Sequence, residues 1–195
     1  VCVAPYSFTQ DLTLYPYYST DAVKFIIQED GTYGVYRGES IKGVTELEIP
    51  AFHNNIAVTK ILESAFNHSD CNDLVSGRIP DTITLIGASA FSSCQSLESI
   101  EVYKGKEGTY ETFYSSKDGV LIREDMGTTY LELVPRAKKG DFTIPDNVDR
   151  ILTRAFYYSE LSNITIPNNV IGIPKYAFYN CEQLTEVTFT GNAPA

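Results

Sequence analysis

The sequence predicts a mainly β fold, a solenoid of about four coils with an N-terminal β-cap and an inserted β-hairpin. The main observation is a repeat, in which an Ile-Pro pair is followed four times by an Ala-Phe pair. The pairs are Ile49-Pro50 with Ala65-Phe66, Ile79-Pro80 with Ala90-Phe91, Ile144-Pro145 with Ala155-Phe156, and Ile166-Pro167 with Ala177-Phe178. Repetition over such short distances indicates one supersecondary unit stacked on itself. Composition agrees, because 14 tyrosines and 10 phenylalanines without tryptophan favour strands and turns over helices.

The spacing within the repeat is regular except in its first copy. The alanine follows the isoleucine by eleven positions in the last three copies, as from Ile79 to Ala90. From Ile49 to Ala65 the step is sixteen positions, so five residues are inserted there. We expect the inserted residues to form an extended turn after Pro50.

Each coil begins with a short strand. One coil has apolar residues at Leu161, Ile164 and Ile166. The last two alternate with polar residues, which predicts a strand with one buried face. The proline that follows has no N–H to donate, so it ends the strand. A turn and a second apolar pair come next, such as Val170 and Ile173, before the Ala-Phe pair. A single coil cannot bury these side chains, and we therefore expect ladders of like residues between stacked coils.

Two segments depart from the repeat. Residues 1–40 lack it and predict a β-cap, with a hairpin that turns at Asp30-Gly31 before the solenoid of residues 41–195. The repeat is interrupted again at about residues 103–141. There Asp118-Gly119 is a turn signal, and residues 120–122 and 130–134 have the composition of strands. This second segment predicts the inserted hairpin.

Three of the four cysteines follow the repeat, and their spacing is not that of a metal site. Cys94 and Cys181 each come three residues after the phenylalanine of their coil, and Cys71 comes five residues after it. We expect buried, reduced thiols that pack as small apolar side chains. A disulfide between Cys71 and Cys94 on adjacent coils stays open, and Cys2 has no evident partner.

Charge and motifs limit the classes of function. The net charge of −10 argues against nucleic acid, which requires a basic face. No apolar run approaches the roughly 18 residues of a membrane span. The two histidines lie in loops of the first coil, and no motif of a hydrolase, zinc protease or phosphate-binding loop is present. We therefore expect no enzyme activity, no metal and no cofactor.

The segment from Leu161 to Cys181, LSNITIPNNVIGIPKYAFYNC, resembles the BspA-like leucine-rich repeats, which also occur in treponemal proteins. The resemblance covers about residues 41–190, and the interruption looks like that family's inserted hairpin. It implies an exported protein, extracellular or on the cell surface of a host-associated bacterium, with its signal peptide removed. It further implies adhesion by protein binding, with fibronectin and fibrinogen as typical partners.

The outward side chains of the strands are the first candidate for a binding face. A central column comprises Glu48, Arg78, Glu101, Thr143, Thr165 and Thr188, and a flanking column comprises Glu46, Ser76, Ser99, Asp141, Asn163 and Glu186. We expect them to line one continuous sheet, which suits a broad and shallow protein partner. A rival surface is the cluster of Tyr157, Tyr158, Tyr176 and Tyr179, since tyrosine patches can recognise protein or sugar and can equally shield the edge of a solenoid. The alternative functions are recognition of a surface glycan and a structural spacer that binds nothing.

Overall fold

The structure is a computed structural model, and it describes residues 21–105 and 113–191. The predicted mainly β fold is confirmed, because the described residues contain fifteen strands and only two short 3-10 helices, Glu39–Ile41 and Ser69–Cys71. The strands are β1 (Val23–Ile27), β2 (Tyr33–Arg37), β3 (Glu46–Glu48), β4 (Phe52–His53), β5 (Ile56–Ile61), β6 (Ser76–Pro80), β7 (Leu85–Ile86), β8 (Ser99–Tyr103), β9 (Tyr114–Lys117), β10 (Val120–Asp125), β11 (Thr128–Leu133), β12 (Lys139–Thr143), β13 (Arg150–Ile151), β14 (Glu160–Ile166) and β15 (Glu186–Phe189).

The strands that precede the Ile-Pro pairs form the regular part of the solenoid. β3, β6 and β8 pair in parallel as one three-stranded sheet, and β12, β14 and β15 pair in parallel as another. Their inward residues are buried, as Leu47, Ile100 and Ile164 show. The alternation in the sequence therefore predicted these strands and their buried side correctly.

The segments after the prolines form a second set of short parallel pairs. β5 and β7, which follow Pro50 and Pro80, pair with each other, and β13, which follows Pro145, pairs with β11 of the inserted hairpin. The five residues inserted after Pro50 contribute a β-hairpin, in which β4 pairs antiparallel with β5 around Asn54 and Asn55. Both asparagines have positive φ angles, 50° and 62°, which asparagine tolerates better than most residues.

Phenylalanine ladders join successive Ala-Phe turns. The rings of Phe66 and Phe91 stack with centroids 5.4 Å apart, and those of Phe156 and Phe178 lie 5.0 Å apart. The residue directly before each alanine has a positive φ angle, which turns the chain inward. These residues are Ser64 (54°), Ser89 (56°), Arg154 (65°) and Tyr176 (65°).

The core is divided into two clusters. The first extends from Ala22 to Leu121 and the second from Val120 to Phe189. We call residues 21–105 the N-terminal stack and residues 113–191 the C-terminal stack. The three consecutive buried residues of β10 separate the clusters, because Leu121 packs into the first while Val120 and Ile122 pack into the second. The insert therefore lies between the stacks and belongs to both cores.

The inserted hairpin consists of β10 and β11. It occupies the same place in the C-terminal stack as the hairpin β1–β2 does in the N-terminal stack. β2 pairs with β5 as β11 pairs with β13. The amide of Arg37 donates to the carbonyl of Ala65 at 3.1 Å, and the amide of Val134 donates in the same way to Ala155 at 2.8 Å. Each hairpin thus covers the first Ala-Phe turn of its stack. The predicted turn at Asp30-Gly31 is present between β1 and β2, whereas the cap boundary at residue 40 stays a prediction.

Three of the four cysteines lie among the described residues, and all three are free thiols. Cys71 and Cys94 are buried and Cys181 is half-buried. The Cys94 thiol donates to the carbonyl of Phe66 at 3.6 Å, and Cys181 donates to that of Phe156 at 2.9 Å. Burial raises the pKa of Cys71 to about 11 and that of Cys94 to about 12, which keeps both protonated. Cys2 lies outside the described residues.

Candidate binding faces

The outward side chains of β3, β6 and β8 form the N-terminal strand face, where the predicted residues lie side by side. One register position of the three strands is occupied by Glu46, Ser76 and Ser99. The position two residues further along each strand is occupied by Glu48, Arg78 and Glu101. Residues at such positions point to the same side of a parallel sheet, with strands about 4.8 Å apart. The two columns are thus correct within this sheet.

Arg78 is the centre of this face. Its Nη1 bonds to Oε2 of Glu48, and its Nε lies 3.9 Å from Oε2 of Glu101. The guanidinium also lies 5.0 Å from the ring centroid of Tyr103, whose hydroxyl donates to the carbonyl of Ile49 at 2.7 Å. The ion pairs and the ring hold the Arg78 side chain in place, so the face has a defined arrangement of charge.

Tyr103 is a residue of this face that the sequence columns omitted. It follows Val102 on β8, at the position where β6 carries Pro80. The signal was present in the sequence, since this is the coil in which the proline of the Ile-Pro pattern is replaced by an aromatic residue. Tyrosine and arginine are the residue types most often found at interface hot spots.

The outward side chains of β12, β14 and β15 form the C-terminal strand face. Asp141, Asn163 and Glu186 share one register position there. The amide nitrogen of Asn163 donates to Oδ1 of Asp141 at 2.6 Å. Thr143, Thr165 and Thr188 form the adjacent column, also in register. This face has two acids, a column of hydroxyls and no cation at the predicted positions.

The expectation of one continuous six-stranded face is wrong. β8 and β12 belong to separate sheets, because the turn between β9 and β10 takes the free edge of β8. The amide of Ile100 donates to the carbonyl of Gly119 at 2.9 Å, and that of Val102 donates to the hydroxyl of Ser116 at 2.8 Å. A Cβ on Gly119 would lie 2.8 Å from the Cβ of Ser99, so glycine permits this close approach. The candidate site is therefore two three-stranded faces with the insert between them.

The tyrosine cluster is present as a compact group. Tyr157 and Tyr179 stack with ring centroids 5.6 Å apart, and Tyr158 meets Tyr157 edge-on at 4.4 Å. Tyr176 lies edge-on to Tyr179 at 5.8 Å. Tyr176 and Tyr179 are both exposed, so part of this aromatic surface faces solvent.

The two histidines and the half-buried pair Arg123 and Glu132 contact neighbouring groups of the chain. His53 stacks on Phe25 at 3.9 Å, and His68 accepts a bond from the amide of Asp70 at 3.2 Å. Burial raises the pKa of Glu132, and Arg123 opposes this through a 3.0 Å ion pair. In residues 21–105 and 113–191, no group of three or more His, Cys, Asp or Glu side chains is arranged to hold a metal ion. Over the same ranges, no helix is long and apolar enough to cross a membrane.

Comparison with known proteins identifies the repeat in two ranges of the chain. A family model described as a BspA type leucine rich repeat region matches six copies, in residues 39–119 and 138–194. The chain belongs to the BspA type leucine rich repeat family. The model counts six copies where the Ile-Pro and Ala-Phe pairs indicated about four coils. Residues 120–137 lie between the two ranges, are not matched, and contain β10 and β11 of the inserted hairpin.

Solved structures share the fold of this BspA type chain at low identity. The pneumococcal vaccine antigen PcpA superposes with a TM-score of 0.58 and 22% identity, covering 74% of this chain and 39% of PcpA. The T. pallidum leucine rich repeat protein has a TM-score of 0.52 and 17% identity, covering 86% and 79%. A leucine rich cell surface protein from Faecalibacterium prausnitzii A2-165 is 20% identical over 88% of this chain and 76% of its own, with a TM-score of 0.38. No curated protein matches the chain.

Proposed function

We propose that this chain is a non-catalytic, adhesin-like protein-binding domain at a bacterial cell surface. The observation that carries the proposal is the pair of strand faces. Each presents two columns of polar side chains, in register, on three parallel strands whose opposite side is buried. Such rigid arrays suit a broad macromolecular surface, because little side-chain or backbone freedom is lost on binding. The extracellular location is the one that the BspA type family resemblance implies.

The charge of the faces favours a basic patch on the partner. The N-terminal strand face carries Glu46, Glu48 and Glu101 against the single cation Arg78, and the C-terminal strand face carries Asp141 and Glu186. Complementary charge raises the association rate and selects among partners. Extracellular matrix proteins such as fibronectin or fibrinogen are the first partners to test, as the family resemblance implies.

Binding to immobilised fibronectin and fibrinogen tests this proposal when it is measured with a charge-reversed face. Glu46 and Glu101 are exposed, so the double variant Glu46→Lys/Glu101→Lys leaves the core intact. Reversing two exposed charges is expected to weaken binding about tenfold, since each exposed pair contributes up to about 1 kcal/mol. Glu29→Lys is the matched single-charge control, because Glu29 is exposed and lies in the β1–β2 turn, away from the strand faces.

Three results would contradict the proposal. If the double variant and Glu29→Lys both bound as well as the wild type, the contact would lie elsewhere on the chain. Equal weakening by the control would indicate a nonspecific charge effect. An absence of saturable binding to either protein would exclude these partners and favour a structural spacer.

A further inference from the structure

A cleft of about 1050 Å3 opens at the junction of the two stacks, on the side of the Ala-Phe turns. We call it the junction cleft. One wall is the turn at residues 88–93 of the N-terminal stack, and the other is the turn at residues 152–158 of the C-terminal stack. Residues 132–136, which lead out of β11, lie between them, and Leu121 of β10 also borders the space.

The cleft exists because one Ala-Phe turn is missing from the stack. Elsewhere each turn bonds to the next, as the amide of Phe66 donates to Ala90 at 2.8 Å and that of Phe156 donates to Ala177 at 3.2 Å. The coil that starts with β8 has no Ala-Phe pair, so no described turn succeeds Phe91 in this ladder. The space of one coil turn is left between two otherwise regular stacks.

The side chains around this gap include two arginines and three tyrosines, in a chain whose net charge is −10. Arg136 and Arg154 line it together with Tyr157, Tyr158 and Tyr176. Arg136 lies 4.4 Å from the ring centroid of Tyr158, and Arg154 lies 5.6 Å from that of Tyr157.

Neither arginine has a carboxylate within ion-pair distance among residues 21–105 and 113–191. The acid that borders the cleft, Glu132, is bound by Arg123 at 3.0 Å. Arg136 donates from Nη1 to the carbonyl of Ser92 at 3.1 Å, which leaves its other N–H groups for an anionic group of a ligand, together with the guanidinium of Arg154. The carboxylate of Glu132 is held by Arg123, which also pairs with Asp125.

Several residues with large side chains at this cleft have backbone φ angles that such residues seldom adopt. The turn position before the alanine has a left-handed φ in all four Ala-Phe turns, and the N-terminal stack places serine there. The C-terminal stack instead places Arg154 and Tyr176 at that position, and Tyr158 also has a left-handed φ of 60°. Bulky residues are uncommon in this region of φ/ψ space, and such departures concentrate at functional sites.

We propose that the junction cleft binds an acidic saccharide, whose sugar ring packs on the tyrosines and whose carboxylate or sulfate group is held by Arg136 and Arg154. Guanidinium groups bind such anions through paired N–H donors. Polar neighbours suit sugar hydroxyls, since Asn67 and Ser93 line the cleft and bond to each other, and Gln95 lies beside them.

An acidic peptide is the less favoured ligand. Peptides commonly add a strand to a free sheet edge, whereas the walls of this cleft are turns. The proposed saccharide site is also separate from the strand faces, so the two proposals stand or fall independently.

Calorimetric titration with defined oligosaccharides tests the inference. The probes are a hyaluronan tetrasaccharide, a heparin tetrasaccharide and sialyllactose, with neutral maltotetraose and a short polyglutamate peptide for comparison. We expect at least one acidic saccharide to bind, with affinity that falls as salt is raised, and maltotetraose to bind at least tenfold more weakly. Binding of polyglutamate alone, equal binding of maltotetraose, or no binding of any acidic saccharide would overturn the proposal.

The variant Arg154→Gly separates recognition from folding. It removes the guanidinium at a position whose φ favours glycine, so its melting temperature is expected to equal or exceed that of the wild type while saccharide affinity falls at least tenfold. Ser89→Gly is the matched control, since it lies at the same turn position, lines the same cleft and has a φ of 56°. Its affinity is expected to stay within twofold of the wild type. Unchanged affinity in Arg154→Gly, or an equal loss in Ser89→Gly, would refute the assignment of the arginine.

Discussion

Replacing Leu121 by alanine tests the conclusion that the inserted hairpin joins the two cores. Leu121 is 1% exposed and packs into the N-terminal cluster, although it belongs to a strand of the C-terminal stack. Ile122, the next residue, is 3% exposed and packs into the C-terminal cluster. Ile122→Ala is therefore a matched control in which the same strand loses a similar aliphatic side chain from the opposite core.

The expected cost follows from burial. Truncation of a fully buried leucine or isoleucine to alanine lowers the free energy of unfolding by about 2–5 kcal/mol, and the loss grows with the cavity that remains. Leu121 borders the junction cleft, so water can enter the vacated space. We therefore expect Leu121→Ala to cost about 2–3 kcal/mol, in the lower part of that range, and Ile122→Ala to cost more.

Amide hydrogen exchange under native conditions shows where each loss falls. In repeat proteins stability is approximately the sum of terms for units and their interfaces, so local protection follows the core that is damaged. Leu121→Ala should lower protection mainly in the N-terminal stack, including the amide of Ile100, which is bonded to Gly119 in the turn between β9 and β10. Ile122→Ala should lower it mainly in β12, β14 and β15. If both variants lowered protection in the same stack, the proposed role of the hairpin would be wrong.

Further predictions concern the ladder, a buried hydroxyl and a strained turn. Phe156→Ala should lower the free energy of unfolding in denaturant by about 3–5 kcal/mol, because Phe156 is fully buried. Phe178→Ala should lower it by roughly half as much, because Phe178 is only half-buried. Equal costs would contradict the ladder. Tyr114 accepts a bond from the amide of Ile86 at 3.2 Å, so Tyr114→Phe should cost about 1 kcal/mol at pH 7. Burial raises the pKa of Tyr114 from 10.0 to about 12, so its unfolded form releases the proton first and its contribution to stability falls between pH 10 and pH 12. The difference in stability between wild type and Tyr114→Phe should therefore shrink across that range and then change sign, because a pKa shift of this size outweighs about 1 kcal/mol. A constant difference would contradict the assignment. Arg154→Gly should raise the free energy of unfolding by about 0.5–1 kcal/mol in thermal melts, because relief of the left-handed φ exceeds the entropy cost of glycine; a lower melting temperature would show that the arginine supports the fold.

Most of the regular architecture could be predicted because it depends on contacts that repeat along the chain. The Leu-x-x-Ile-x-Ile pattern and the proline after it determine where a strand begins, which side is buried and where it ends. The columns of outward residues follow from the same alternation, and within each sheet they are in register. Free thiols at Cys71, Cys94 and Cys181 also agree with the repeat, which places cysteine beside the buried phenylalanines.

The candidate sites depended on features that the repeat does not contain. Tyr103 joins Arg78 on the N-terminal strand face because its coil has tyrosine in place of proline. The role of Arg154 follows from a φ angle and from a turn that is missing in the preceding coil. Neither can be derived from periodicity, because each is a local exception whose neighbours come from other coils.

The sequence by itself determined the stacked coil and its buried side, because hydrophobic periodicity acts between neighbours a fixed number of residues apart. The resemblance of the repeat to the BspA type leucine rich repeats indicated the family. Only the tertiary structure decided that the chain is two stacks rather than one. The turn between β9 and β10 takes the free edge of β8, and the hairpin β10–β11 repeats the arrangement of β1 and β2. Both depend on hydrogen bonds between residues of different coils. The same junction divides the polar face in two and opens the cleft, so the proposed binding surfaces are consequences of where the repeat is interrupted.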